Sequence, residues 1–209
     1  MDLFHFPRWV NHIRLLIPVM LLGGALYTVG IVAFGASPDT LAVGYAPTQP
    51  IPYSHRLHAG ELGIDCRYCH SNVDKSAHAS LPPSSTCMNC HANIKKDSTK
   101  LTLLHETFAK GDSIPWVKVH DLPDFVYFDH SAHVTKGVGC VECHGRVDQM
   151  EVVTQVVKLS MGWCIECHRN PEPRLRPIDK VTDMAWKRPE NFKSLRTVHP
   201  NVNCSTCHR

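Results

Sequence analysis

No cysteine in this 209-residue chain stands alone. All ten fall in Cys-x-x-Cys pairs: Cys66/Cys69, Cys87/Cys90, Cys140/Cys143, Cys164/Cys167 and Cys204/Cys207. None is left over for a disulfide framework of the kind small secreted domains use, or for any other purpose. An excess of charge of either sign is lacking too. Against 22 Lys and Arg stand 19 Asp and Glu, a formal net charge of +3, which does nothing to recommend a nucleic acid partner. Between Leu15 and Ala36 there is no charged residue at all. Prolines such as Pro82, Pro83, Pro171, Pro173 and Pro177 interrupt the chain, which leaves room only for brief helices and no substantial sheet.

What is there begins one residue beyond each pair. His70, His91, His144, His168 and His208 follow the five pairs without exception. Zinc sites and redox dithiols also use Cys-x-x-Cys, but neither needs a histidine at the next position. Cys-x-x-Cys-His lets two thioethers grip a porphyrin edge while the adjacent imidazole reaches the iron. The spacing therefore predicts five covalently bound haem c groups, with those five histidines as proximal iron ligands. Five haems bring up to ten propionate charges, so the loaded protein is expected to be acidic and to set some Lys and Arg against propionates. Residues 169–209 hold nine Lys and Arg against four Asp and Glu. This basic stretch reads either as a wrap for haem edges or a partner, or as a plain solvated surface.

The uncharged run from Leu15 to Ala36 is long enough to cross a bilayer as one helix and longer than the apolar core of a typical cleavable signal. It is read as a retained anchor. Arg8 and Arg14 precede it, and the first charge after it is Asp39, so the positive-inside rule leaves residues 1–14 in the cytoplasm. The rest then lies on the periplasmic, outer side of the inner membrane, where haem is attached to such motifs. Phe4, Phe6 and Trp9 suit the interfacial belt, and His5 and His12 are assigned there rather than to iron. Residues 37–52, with Pro38, Pro47, Pro50 and Pro52, read as an extended tether.

A repeat organises the remainder. Tyr53, His55, His58, Gly63, Cys66 and Cys87 recur as Phe128, His130, His133, Gly137, Cys140 and Cys164, at offsets of 74 to 77 residues. Two modules (53–91 and 128–168) and a fifth motif (199–209) make up a haem domain spanning 53–209. An iron held by one imidazole keeps an open sixth position; a second strong ligand closes it and leaves electron transfer as the useful reaction. His55, His58, His130 and His133 are the expected sixth ligands, each pair serving two different haems. His120, among apolar and aromatic neighbours, is favoured as the fifth. Met150 and Met161 are alternative sixth ligands, and His78, His105 and His199 read as surface histidines. Short helices are expected around Cys164, over Ser98 to Gly111, near Met184 to Lys193, and from Met150 in the run MEVVTQVVKL. About 34 residues per haem cannot build a conventional core. The expected fold is therefore loops and short α-helices wrapped around the haems, plus one transmembrane α-helix, with little or no β-sheet.

The His-x-x-His modules resemble those of class III multihaem cytochromes. The larger pattern is more specific: an N-terminal anchor, LPDFVYFDHSAHVTKGVGCVECHG, LSMGWCIECHRNP and a closing NCSTCHR. It resembles the pentahaem cytochrome subunit of alternative complex III, a quinol:acceptor oxidoreductase of respiratory or photosynthetic membranes. That resemblance implies a non-catalytic electron carrier. Quinol would be oxidised in a polytopic partner, electrons would arrive from an iron–sulfur subunit, and they would leave to a mono-haem cytochrome or other periplasmic acceptor. It also implies mostly bis-histidine haems, with one His/Met. The multihaem subunit of a quinone-reducing complex is the alternative, although such subunits usually carry six motifs. A small tetrahaem quinol dehydrogenase starts its motifs closer to the membrane helix. A multihaem nitrite or sulfite reductase needs an exchangeable sixth position, often with an unusual proximal ligand.

Overall fold

The structure, a computed structural model, describes residues 5–194 and 196–208. Phe4 of the interfacial belt and Arg209 of the basic stretch lie outside them. The chain divides into two units, Met1–Leu41 and Ala42–Arg209. The first is helical. A 3-10 turn over Arg8–His12 runs into α1, Ile13–Gly30, which carries Pro18 inside it, and then into a π-helical turn over Ile31–Gly35. Arg8–Gly35 is the one described helical stretch long and apolar enough to cross a membrane, with mean hydropathy 2.2 and none of its side chains buried. A single turn, α2 over Pro38–Leu41, closes the unit.

The second unit is built from turns of helix joined by loops, with no strand among its described residues beyond two isolated bridges. Its helices are α3 Cys66–Cys69, α4 Ser84–His91, α5 Thr102–Lys110, α6 His130–Val134, α7 Val141–His144, α8 Met161–Arg169 and α9 Cys204–Cys207. Five of these seven contain a Cys-x-x-Cys pair or its second cysteine, because one helical turn is what points two cysteines three apart along one edge. Local chemistry sets their starts. The Asp65 side chain accepts the Arg67 N–H at 2.8 Å ahead of α3, Asp129 accepts the Ala132 N–H ahead of α6, and Ser160 accepts the Trp163 N–H ahead of α8.

Apolar burial is thin. Only Ile51, Val73, Leu104, Ile114, Val134, Leu175 and Val181 are buried hydrophobics among the described residues, in a unit of about 165 residues. Ile51, Leu104 and Ile114 cluster beside Cys87 and Met88 of α4, while Val73, Val134 and Val181 cluster beside Cys140. Both small cores thus back onto a cysteine motif.

The structure departs from two expected helices. The run from Met150 is extended, because Gln155 exchanges backbone hydrogen bonds with Gly44 (2.8 Å) and Tyr45 (3.0 Å), and its β-branched valines favour that state. Residues 184–193 form loop and turns. There the Arg188 guanidinium takes the carbonyls of Glu172, Leu175 and Phe192, and Pro189 has no N–H to give a helix. The second half of the segment read as a tether is bonded into the second unit, through Gly44 and Tyr45 and through Gln49, which pairs with the Val117 backbone at 2.9 Å in both directions.

Candidate haem sites

The two modules place their aromatic and histidine rings alike. Tyr53 meets His55 edge-on at 4.8 Å and stacks on His58 at 4.4 Å, with interplanar angles of 86° and 23°. Phe128 meets His130 at 4.7 Å and His133 at 4.5 Å, at 89° and 26°. In each module the second histidine donates from Nδ1 to the carbonyl four residues back: His58 to Ser54 (2.8 Å) and His133 to Asp129 (2.7 Å). An aromatic two residues ahead of a histidine pair is thus a clamp that turns the two imidazoles in different directions.

The proximal histidines show why these rings suit a metal. A carbonyl oxygen can only accept, so a ring nitrogen facing one must carry the proton, and a neutral imidazole then keeps its other nitrogen bare. His70 donates from Nδ1 to Ser80 (2.9 Å), His91 to Ile94 (2.9 Å), His168 to Asn201 (2.9 Å) and His208 to Phe125 (3.2 Å). His130 donates to Ala77 at 2.9 Å. Each bond leaves Nε2 unprotonated and fixes the ring, as a carbonyl does behind a metal-bound histidine. Those carbonyl acceptors carry no residue signature, so sequence reasoning could not find them; only the left-handed backbone of Ser80, at φ 59°, marks one as special.

Three ring pairs have the separation an iron needs. Two imidazoles sharing a metal through Nε2, at about 2 Å each, have ring centres roughly 6 Å apart. His58 and His91 are 6.2 Å apart, His130 and His144 6.4 Å, and His133 and His168 6.0 Å. A fourth pair, His55 with His70, follows by the repeat. Burial and then the neighbouring His70 hold His55 down to about 4, and its Nδ1 is buried without a partner. The first histidine of each pair thus faces its own module's first motif, and the second faces that module's second motif. The donor set and its spacing fit c-type haem.

The other candidates fall elsewhere. His120 lies edge-on to His144 at 4.4 Å, a ring that already has His130 at ligand-pair distance, and not beside His208. No histidine ring faces His208 among the described residues; Phe125 does, at 5.7 Å. Met161 opens α8 and is 65% exposed, while Met150 is held by its backbone between Val147 and Arg56. His78 and His199 are exposed, but His105, on α5, has a buried Nε2 without a partner.

The motifs are also close to one another. Cys66 and Cys140, the opening cysteines of the two modules, are close neighbours, and their interaction raises the Cys66 thiol and lowers that of Cys140. Cys69 lies within electrostatic reach of Cys87, and Cys164 within reach of Cys207. Burial first, then Cys167 and other neighbours, pushes the Cys143 thiol up to about 12. His144 is held down to about 3 by burial and by His120, His130, His70 and His55 around it.

One charged cluster supports this junction. Arg176, its side chain 3% exposed, pairs with Glu142 at 3.0 Å, donates to the Asp183 carbonyl at 3.0 Å and packs 5.0 Å over Trp186. Arg174 reaches the other oxygen of Glu142 at 3.4 Å. A side chain at Gly139 would meet the Arg176 guanidinium at 2.2 Å, and Gly137, at φ 90°, packs against the Arg176 carbonyl. The two glycines ahead of Cys140 therefore exist to let Arg176 pass beneath the motif. Arg174, Arg176, Lys180, Arg188 and Arg196 of the basic stretch all bond within the chain.

Comparison with known proteins agrees with this chemistry. Residues 126–209, the second module and fifth motif, match the family described as cytochrome c7 and related cytochrome c. Over 197 residues, 90% of each chain, the protein is 28% identical to the multihaem cytochrome c subunit of menaquinone reductase from Nitratidesulfovibrio vulgaris strain Hildenborough. Five histidine-terminated cysteine pairs, imidazoles paired at metal distance and a helix-and-loop fold with no strand among the described residues are together similar to what a multihaem c-type cytochrome requires, and the matched family and relative are of that kind.

Proposed function

We propose that the chain is the electron-relay subunit of a membrane complex that exchanges electrons with quinone, carrying five haem c groups and no catalytic residue of its own. The observation that carries this reading is the pairing of histidine rings at 6.0 to 6.4 Å on three motifs. Each haem, when bound, would supply a one-electron ferric/ferrous couple; the protein's part would be to supply its histidine ligands. Cys66, Cys69 and His70 with His55 form the first site; Cys87, Cys90 and His91 with His58 the second. Cys140, Cys143 and His144 with His130 form the third; Cys164, Cys167 and His168 with His133 the fourth. Cys204, Cys207 and His208 hold the fifth. Closed axial positions suit a relay and oppose substrate reduction.

Proximities between motifs support an order in space that differs from the order in sequence. Cys69 near Cys87, Cys66 near Cys140, Cys143 near Cys167 and Cys164 near Cys207 support a row of sites running second, first, third, fourth, fifth. Arg8–Gly35 anchors the chain in the inner membrane by one pass, with the haem domain on the periplasmic side. Electrons enter from an iron–sulfur subunit beside a polytopic quinol-oxidising partner and leave to a mono-haem cytochrome or other periplasmic acceptor. The relative from Nitratidesulfovibrio vulgaris supports the opposite direction, toward menaquinone reduction; five motifs, where such subunits usually carry six, support quinol oxidation.

The test is made on the purified membrane complex. Quinol added anaerobically should reduce all five haems, and a soluble cytochrome c should reoxidise them. If quinol leaves the haems oxidised while reduced haems turn over added quinone, the quinone-reducing reading replaces this one. A ferric haem that binds nitrite and turns it over would overturn the relay reading altogether.

A further inference from the structure

His144 is the odd proximal histidine. The other four proximal rings each donate from Nδ1 to a backbone carbonyl, of Ser80, Ile94, Asn201 and Phe125. Among the described residues His144 has no such carbonyl. What lies against it is the ring of His120, edge-on at 4.4 Å between centroids and 74° between planes. His120 has an unmet need of its own, since its Nε2 is buried and hydrogen-bonds to nothing. Two unmet groups on two touching rings are complementary. Once Nε2 of His144 is given to iron, its Nδ1 must carry a proton, and a bare imidazole nitrogen accepts one well.

We propose that His120 is a positioning residue of the third site: its imidazole takes the Nδ1–H of His144 in place of a carbonyl and sets that site's reduction potential apart from the others. The proposal rests on the reading of His130 and His144 as the axial pair of that site. An imidazole nitrogen is a stronger base than an amide oxygen. The bond therefore draws the Nδ1 proton further from His144 and makes its Nε2 a richer donor, which favours ferric iron and lowers the potential. The third site is where this matters most, because Cys66 and Cys140 make it the join between the two modules. The near-parallel planes of His130 and His144, at 11°, against 60° for His58 and His91 and 45° for His133 and His168, also set that pair of rings apart from the others.

The test uses the intact complex with His120→Ala and His120→Gln, read by a potentiometric titration followed by visible absorption and low-temperature EPR. Expected in His120→Ala is an upward shift of one of five midpoint potentials, with five low-spin haems retained. His120→Gln, which restores an amide oxygen as acceptor, should return part of that shift. Five unchanged potentials in the Ala variant would overturn the proposal. So would a new high-spin signal in it, which would make His120 an axial ligand instead. His130→Ala serves as the control on the underlying pairing: it should turn the haem of that same potential high-spin. If His130→Ala leaves every haem low-spin, the axial assignment fails, whatever the His120 variants show.

Discussion

Seven histidines, His58, His70, His91, His130, His133, His168 and His208, direct Nδ1 to a backbone oxygen. Each such bond uses the one N–H of a neutral imidazole, so the tautomer is chosen by the fold before any metal arrives. Removing one ring of a pair should therefore have a local effect. His133→Ala is expected to convert one haem in five to a high-spin form that binds carbon monoxide, read from the reduced-plus-CO difference spectrum, with the other four unaffected. Below the rings, the close approach of Arg176 to Gly139 makes a second site-specific demand. Gly139→Ala forces the guanidinium from Glu142 and is expected to cost about 1–3 kcal/mol of unfolding free energy, measured by denaturant titration. At this scale the sequence was most legible where chemistry needs a side chain. Cys-x-x-Cys-His can be read directly, and a carbonyl acceptor cannot, because every residue has one. His120 shows the same limit: its apolar neighbours mark it as interior, and only the fold says which ring it touches.

At the scale of elements, the His-x-x-His turn is the working unit. One helical turn, clamped by Tyr53 or Phe128, sends one imidazole to its own module's first motif and the other to the second. The repeat was visible in sequence because it preserves spacing, and with it the expectation that each pair serves two haems; which motif the second ring faces was not, because it depends on how loops return after Cys66 and Cys140. The expected helix at Met150 failed for a related reason: its apolar period was genuine, but a backbone partner at Gly44 and Tyr45 lay over 100 residues away. These turns also carry a pH signature. Burial above all holds His55 down to about 4 and His144 to about 3, against an ordinary 6.5. The folded chain keeps both neutral while the unfolded chain binds protons, so their contribution is fully present above pH 6.5 and is lost as pH falls toward 4 and then 3. Coordination through Nε2 acts in the same direction. The denaturation midpoint of the oxidised protein should thus be lower at pH 5 than at pH 7.5, with no comparable change between pH 7.5 and 8.5.

For the whole molecule, the division at Leu41 and Ala42 separates the apolar helix from every cysteine pair and histidine proposed to hold haem. A chain beginning at Ala42 behind a cleavable secretion signal is expected to appear in the soluble periplasmic fraction with five haem masses by intact mass spectrometry. Its recovery in the membrane pellet would show that the anchor is not the only attachment. Composition predicted a sparse core, since few residues are available per haem, and only seven apolar side chains are buried among the described residues. The row of sites was hidden, because adjacency through Cys66 and Cys140 is a property of folded loops. That contact has a consequence in time. The outer joins connect Cys69 to Cys87 and Cys164 to Cys207, near neighbours along the chain. The central join connects residues 74 apart, and it is completed only by the segment at 181–182, where Val181 accepts the Cys140 N–H at 3.1 Å and the Thr182 carbonyl faces the Cys66 sulfur at 4.0 Å. As the polypeptide emerges from its amino end, the first two motifs are complete at His91, 90 residues before Val181. The middle of the proposed row is thus expected to be finished later than its first end, and a chain interrupted before Val181 is expected to lack the through-path.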